Sequence, residues 1–260
     1  MDNQTTGKYA NVNGLKMYYE IHGTGFPLVL IHGGGSTIDS TFGRILPTLA
    51  KTHKVIAVEM QAHGHTADID RPLSFEQDAN DIAELLKQLN IAKADIFGFS
   101  NGASTTLELA IRYPELVNKI VVASTMYKKS GAFPGFWDMM KNASFEGMPQ
   151  GLKDAFLKIN PDKDALYRSY ERDVTRMQNF TDITEEDIKG IKAPALIIVA
   201  NQDVPTVEHG VEMMRNMQHA TLVVLPDGHG DYMGEITTVK EHVSEYPVVQ
   251  LIEEFLKAEK

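Results

Sequence analysis

Six short runs in this chain, residues 28–31, 55–58, 95–99, 120–123, 195–199 and 221–225, are apolar or nearly so and do not alternate with polar residues. A strand with one face in water alternates; a strand covered on both faces does not. Runs of this kind therefore predict a parallel sheet packed between helices. Residues 74–89 supply such a helix, with Phe75, Ala79, Ile82, Leu85, Leu86 and Leu89 on one stripe behind Ser74, a predicted N-cap. The alternation of strand and helix predicts an α/β fold with a mostly parallel central sheet.

Two segments depart from that pattern. Residues 9–12 and 15–21 are β-prone and flank Asn13-Gly14, which predicts an antiparallel hairpin at the start of the sheet. Residues 125–191 replace strands with aromatics, methionines, scattered glycines and charged helical stretches such as 164–177. A long insertion at one edge of such a sheet is expected to be a helical lid that shapes a binding site. The expected organisation is a core of residues 1–124 and 192–260, closed by a helix near 248–256, with the lid at 125–191. At 260 residues, 43% of them hydrophobic, this is one domain with material for a large core.

Charge and cysteine content narrow the chemistry. A net charge of −10 argues against a nucleic-acid backbone or an anionic membrane as partner. With no cysteine, disulfides, thiolate metal sites and a cysteine nucleophile are all excluded. Residues 1–6 are polar, and no long uncharged apolar run follows them, so the expected location is cytoplasmic. The closing helix and the lid show no apolar stripe clear enough to assign a dimer, so a monomer or a homodimer is expected.

Chemistry concentrates first at Gly98-Phe99-Ser100-Asn101-Gly102, a G-x-S-x-G between a strand and a helix that runs through Ala103, Leu107 and Ala110. In such an elbow the glycines leave room for a sharp turn, and the serine is held strained at a helix N-terminus. There free amides and the helix dipole favour developing negative charge. His32-Gly33-Gly34-Gly35 directly follows the first parallel strand and reads as an oxyanion loop. The two oxyanion donors are assigned to the amides of Gly34 and Asn101. His32 is read as the residue that orients the loop. A phosphate loop is disfavoured, because no Lys-Ser/Thr pair and no G-x-G-x-x-G spacing follow.

Ser100 needs a base, and nine histidines are present. Where the serine sits in a G-x-S-x-G elbow of this kind, its partners follow in the order acid, His, each on a loop after a strand. His229, in Pro226-Asp227-Gly228-His229-Gly230, follows the last strand; Asp203 follows the one before it. Asp227 and Glu208 are rival acids, but position favours Asp203. His63 and His65, with Glu59 nearby, form a weak ligand set without a third partner, so no metal is expected. His22, His53, His209, His219 and His242 are read as surface or packing residues.

With these motifs in order, the chain resembles the α/β-hydrolase superfamily, in its branch of small capped carboxylesterase-like serine hydrolases. The resemblance rests on residues 28–35, 59–66, 98–102, 191–203 and 228–230, and covers nearly all of the chain outside the lid. Two positions depart from it: the loop after the second parallel strand usually begins with Asp and carries Gly before its His, where this chain has Glu59 and Ala62. Ser100 stands where haloalkane dehalogenases and epoxide hydrolases carry Asp, so that likeness stops at the fold. Cofactor-free perhydrolases share the triad.

The function expected is hydrolysis of small neutral or acidic carboxylic esters through an acyl-enzyme on Ser100, with Asp203 and His229 completing the triad and no cofactor required. Phe133, Phe136, Trp137, Met139 and Met140 are candidates to line an apolar pocket under the lid; as a stripe they also suit lid core. Acyl transfer, perhydrolysis, carbon–carbon bond hydrolysis and a small-molecule receptor on the same scaffold are the alternatives.

Overall fold

Asn13 and Gly14 both take left-handed φ values, 48° and 85°, and so close a two-residue turn between β1 (Lys8–Val12) and β2 (Leu15–His22) in the computed structural model. The structure describes residues 7–239, 243 and 245–258; the N-terminal residues 1–6 and His242 lie outside them. β2 pairs antiparallel with β4 (His53–Glu59), and from there the sheet is parallel. It continues through β3 (Phe26–Ile31), β5 (Ala94–Phe99), β6 (Val117–Ala123), β7 (Ala195–Gln202) and β8 (Ala220–Gly228). The order across the eight strands is β1-β2-β4-β3-β5-β6-β7-β8.

Each expected apolar run is a strand, and five of the six are covered on both faces. Within β3, Leu28 and Leu30 join the core under α1 (Ile38–Phe42), α2 (Leu46–Leu49) and α10 (Val248–Lys257). Val29 and Ile31 join the opposite core, under α3 (Phe75–Gln88), α4 (Asn101–Arg112) and α9 (Val207–Asn216). Ser74 caps α3 by accepting from the Gln77 amide at 3.1 Å. β8 is the exception. It runs to Gly228 rather than 225, and its side chains are half-buried or exposed, with Val224 43% exposed. As the last strand it has a neighbour on one side only, so an apolar run did not guarantee cover on both faces.

Four helices lie between β6 and β7: α5 (Phe136–Lys141), α6 (Gln150–Ile159), α7 (Lys163–Gln178) and α8 (Glu185–Gly190). α5, α6 and α7 hold two small apolar clusters of their own, one around Phe136, Met177 and Phe180 and one around Met148, Phe156 and Leu166. The last helix belongs elsewhere. α8 packs on α4 and α9, and Ile188 and Ile191 are buried in the main core. The span 125–191 expected for the insertion thus takes in a helix that the core itself absorbs.

Candidate active site

Ser100 has φ 54° and ψ −120°, a conformation that costs a non-glycine residue of order 1–3 kcal/mol and persists only where its surroundings enforce it. They do. Its amide donates to Ala123 O at 2.9 Å, and the chain passes directly from β5 into α4. A Cβ on Gly98 would lie 2.1 Å from Gly102 O, and one on Gly102 would lie 2.1 Å from Ile31 O, so neither position admits a side chain. Ser100 stands at the N-terminus of the 12-residue α4 and opens into a cavity of about 510 Å³ between the strand ends and the inserted helices.

His229 lines the same cavity. Its Nδ1–H donates to Asp203 Oδ1 at 2.6 Å. Asp203, 9% exposed, also accepts from Ser124 Oγ at 2.5 Å, Ala200 N at 2.9 Å and Val204 N at 2.7 Å. Behind it the Tyr232 hydroxyl donates to Ser124 Oγ at 2.6 Å. Burial alone would raise the pKa of Asp203; the hydrogen bond and charge of His229, with Ser124 and Ala200, outweigh that and lower it. A carboxylate held this way fixes the imidazole tautomer, leaving Nε2 able to take a proton. The rival acids lie elsewhere: Asp227 is exposed near the end of β8, and Glu208 is in the first turn of α9.

Gly34 and Asn101 both line the cavity beside Ser100. Neither backbone amide donates a hydrogen bond to another described residue. His32 orients their loop: its Nδ1–H donates to Gly33 O at 2.7 Å, and its Nε2 accepts from Met60 N at 3.1 Å. That pattern needs the neutral ring, and burial, aided by the charge of His63, lowers the pKa of His32 to about 3.

Of the five side chains expected to line the pocket, Phe136, Met139 and Met140 do. Phe133 and Trp137 do not; they pack against Phe136 in the aromatic cluster outside the cavity. Trp137 is held there because its indole N–H donates to Lys129 O at 2.7 Å. Spacing along a short helix cannot say which side faces the cavity. His63 and His65 turn to different partners: His63 Nε2 to Asp173 Oδ2 at 2.7 Å, His65 Nδ1 to Glu59 Oε2 at 2.8 Å. Ala62 keeps a left-handed φ of 67°, the geometry for which glycine is the ordinary choice.

Two parts of the site escaped sequence reasoning. Ser124, with φ 55°, was hidden because nothing local distinguishes it from any strand-end serine. Asp173 lines the cavity from α7, amid many charged residues of a helix whose partners come from elsewhere in the chain.

A family model described as the alpha/beta hydrolase fold matches residues 27–160. The serine hydrolase BPHL of Homo sapiens is 28% identical over 241 residues, which is 86% of this chain and 79% of that protein. The 2-hydroxy-6-oxo-6-(2'-aminophenyl)hexa-2,4-dienoic acid hydrolase of Metapseudomonas resinovorans is 32% identical over 118 residues, 44% of this chain and 41% of that one. Among solved structures, a serine hydrolase involved in carbazole degradation superposes with a TM-score of 0.78 at 22% identity, covering 97% of this chain and 98% of that one. That last likeness is one of fold.

Proposed function

Because the chain belongs to the α/β-hydrolase family, we propose that it is a serine hydrolase acting on small, neutral carboxylic esters through an acyl-enzyme on Ser100. The observation that carries this reading is the convergence on one cavity of a strained serine at a helix N-terminus, a histidine tied to a buried carboxylate, and two amides that donate to none of the described residues.

In this mechanism His229 Nε2 takes the Ser100 proton as Oγ attacks the ester carbonyl carbon. The amides of Gly34 and Asn101 hold the tetrahedral oxyanion, and Asp203 stabilises the imidazolium. The imidazolium returns its proton to the departing alkoxide. Water, deprotonated by the same ring, then attacks the acyl-enzyme, and Ser100 leaves with that proton as the carboxylic acid is released.

The lining supports a neutral substrate. Met139, Met140, Met148, Leu152, Met177 and Phe180 make most of it apolar, and Asp173 and His229 are its only ionisable side chains apart from Tyr170 among the described residues. An anionic dienoate, the substrate class named for the Metapseudomonas relative, would find no lysine or arginine among the described residues of that wall. This relative nonetheless makes carbon–carbon hydrolysis or dienoate hydrolysis the second reading.

The test is turnover of p-nitrophenyl esters of increasing acyl length by the wild-type protein and by folded Ser100→Ala. The proposal expects wild-type activity and a loss of several orders of magnitude in the variant. Equal activity in both would remove Ser100 from the mechanism, and turnover of a dienoate in preference to every ester would favour the second reading.

A further inference from the structure

The direction of the Gly34 amide is set by the peptide plane it shares with Gly33, and the inserted helices hold the next plane, which fixes the φ and ψ that anchor that one in the loop. In the first plane, Gly33 O accepts from His32 Nδ1 at 2.7 Å and from Ser36 N at 3.4 Å. Because the peptide is planar and trans, fixing that carbonyl aims the Gly34 N–H the opposite way. In the second plane, Gly34 O accepts from Ser36 Oγ at 3.3 Å, and the Gly35 N–H donates to Asp173 Oδ2 at 2.5 Å. Glycine has the widest backbone freedom of any residue, so without both restraints the φ and ψ of Gly34 would be loosely held.

Asp173 sits on α7, 8% exposed, and is itself firmly placed. Its Oδ2 accepts from His63 Nε2 at 2.7 Å, and its Oδ1 pairs with Arg176. Arg176 in turn pairs with Asp78 Oδ2 on α3 at 2.8 Å. Burial opposes the charge of His63, but the charge and hydrogen bond of Asp173 outweigh it and raise that ring's pKa. The same partners hold Asp173 well below the usual carboxylate range against the opposing effect of burial.

Resting on the assignment of the Gly34 amide as an oxyanion donor, we propose that Asp173 is a positioning residue for the oxyanion hole, so that the loop becomes competent only when α7 is seated on the core. Asparagine cannot replace it. With its oxygen at the Oδ2 position, its NH2 confronts Arg176; turned over, its NH2 confronts the Gly35 and His63 donors.

The experiment compares Asp173→Asn with Arg172→Gln. Arg172 binds the core one residue away, through Asp68 Oδ2 at 2.9 Å and Ile69 O at 3.3 Å, and has no bond to the loop. With p-nitrophenyl esters, Asp173→Asn is expected to lower kcat about 10- to 100-fold with KM within about threefold, short of the ~10²–10³ seen when an oxyanion donor is removed outright. Affinity for an alkylboronic acid, whose tetrahedral adduct places an oxygen in the hole, is expected to fall by a similar factor. Arg172→Gln is expected to stay within about twofold of wild type in both. Unchanged kcat and boronate affinity in Asp173→Asn, or an equal loss in Arg172→Gln, overturns the proposal. Should Asp173→Asn not fold, amide hydrogen exchange of the wild-type protein decides: Gly35 is expected to be protected like a core amide, and exchange as fast as an exposed loop overturns it. Ser100→Ala, run alongside, separates the two readings. If that variant is silent while Asp173→Asn is unimpaired, only this inference fails; if it is active, the assignment of the site fails while Gly35 exchange still reports on the contact.

Discussion

Replacing Asp203 by asparagine tests the site through a single oxygen-for-NH2 exchange whose consequences follow from the geometry. The carboxylate accepts four hydrogen bonds: His229 Nδ1 and Val204 N on Oδ1, Ser124 Oγ and Ala200 N on Oδ2. An amide offers one acceptor oxygen. If it occupies the Oδ2 position, the NH2 meets the Val204 N–H and drives His229 to the tautomer with its proton on Nε2, the wrong one to receive a proton from Ser100. If the amide turns over, the NH2 meets the Ala200 N–H instead. Either way one backbone amide loses its buried acceptor, at about 1–3 kcal/mol. For a chain of this size that corresponds to a fall in Tm of about 2–10 °C. Ester kcat is expected to fall about 10³- to 10⁴-fold, the scale for a triad histidine held in the wrong tautomer. Stopped-flow or steady-state p-nitrophenyl ester assays and a thermal melt read both effects. Activity within threefold of wild type in a folded Asp203→Asn would refute the argument, because it would mean either that the amide settles with its oxygen toward His229, keeping the productive tautomer, or that the tautomer does not matter to the rate.

Gly102→Ala should unfold the protein or cost it several kcal/mol, since the new methyl would lie 2.1 Å from Ile31 O; a denaturant melt with an unchanged midpoint would contradict the packing of the elbow. Ala62→Gly should gain about 0.5–1 kcal/mol by relieving the left-handed φ of 67°, measured by urea denaturation. His32 has its pKa depressed from 6.5 to about 3, so its contribution to stability is full above pH 6.5 and is lost as pH falls toward 3. The unfolded chain binds the extra proton throughout that window, which makes stability fall by up to about 1.4 kcal/mol per pH unit from this residue. Urea melts at pH 7.5, 6 and 5 should show a shallower acid dependence for His32→Asn; an unchanged slope would put the buried proton elsewhere. Met140→Ala should shift the acyl-length preference upward while Trp137→Phe leaves it unchanged, because only Met140 lines the cavity; an equal shift in both would contradict that partition.

Much of this molecule is written in short-range pattern. Strands covered on both faces need uninterrupted apolar runs, a two-residue hairpin needs residues tolerant of left-handed φ, and a strand-to-helix elbow needs glycines where backbone oxygens come within 2.1 Å of a would-be Cβ. Those requirements bear on neighbours in the chain, so 28–31, Asn13-Gly14 and Gly98-Phe99-Ser100-Asn101-Gly102 could be read directly. Asp203 and His229 were legible for a related reason: each belongs to a loop at the end of a strand, and strand order carries it to the same edge of the sheet as Ser100. Contacts that join distant segments left no such trace. Whether α8 belongs to the insertion or to the core depended on what Ile188 met across the sequence, and which of Phe136 and Trp137 faces the cavity depended on a carbonyl at Lys129. Asp173 is the clearest case. It lies 138 residues from the glycine amide it holds, and only the folded chain, by setting α7 against the loop after β3, makes one charged residue among many on that helix part of the site.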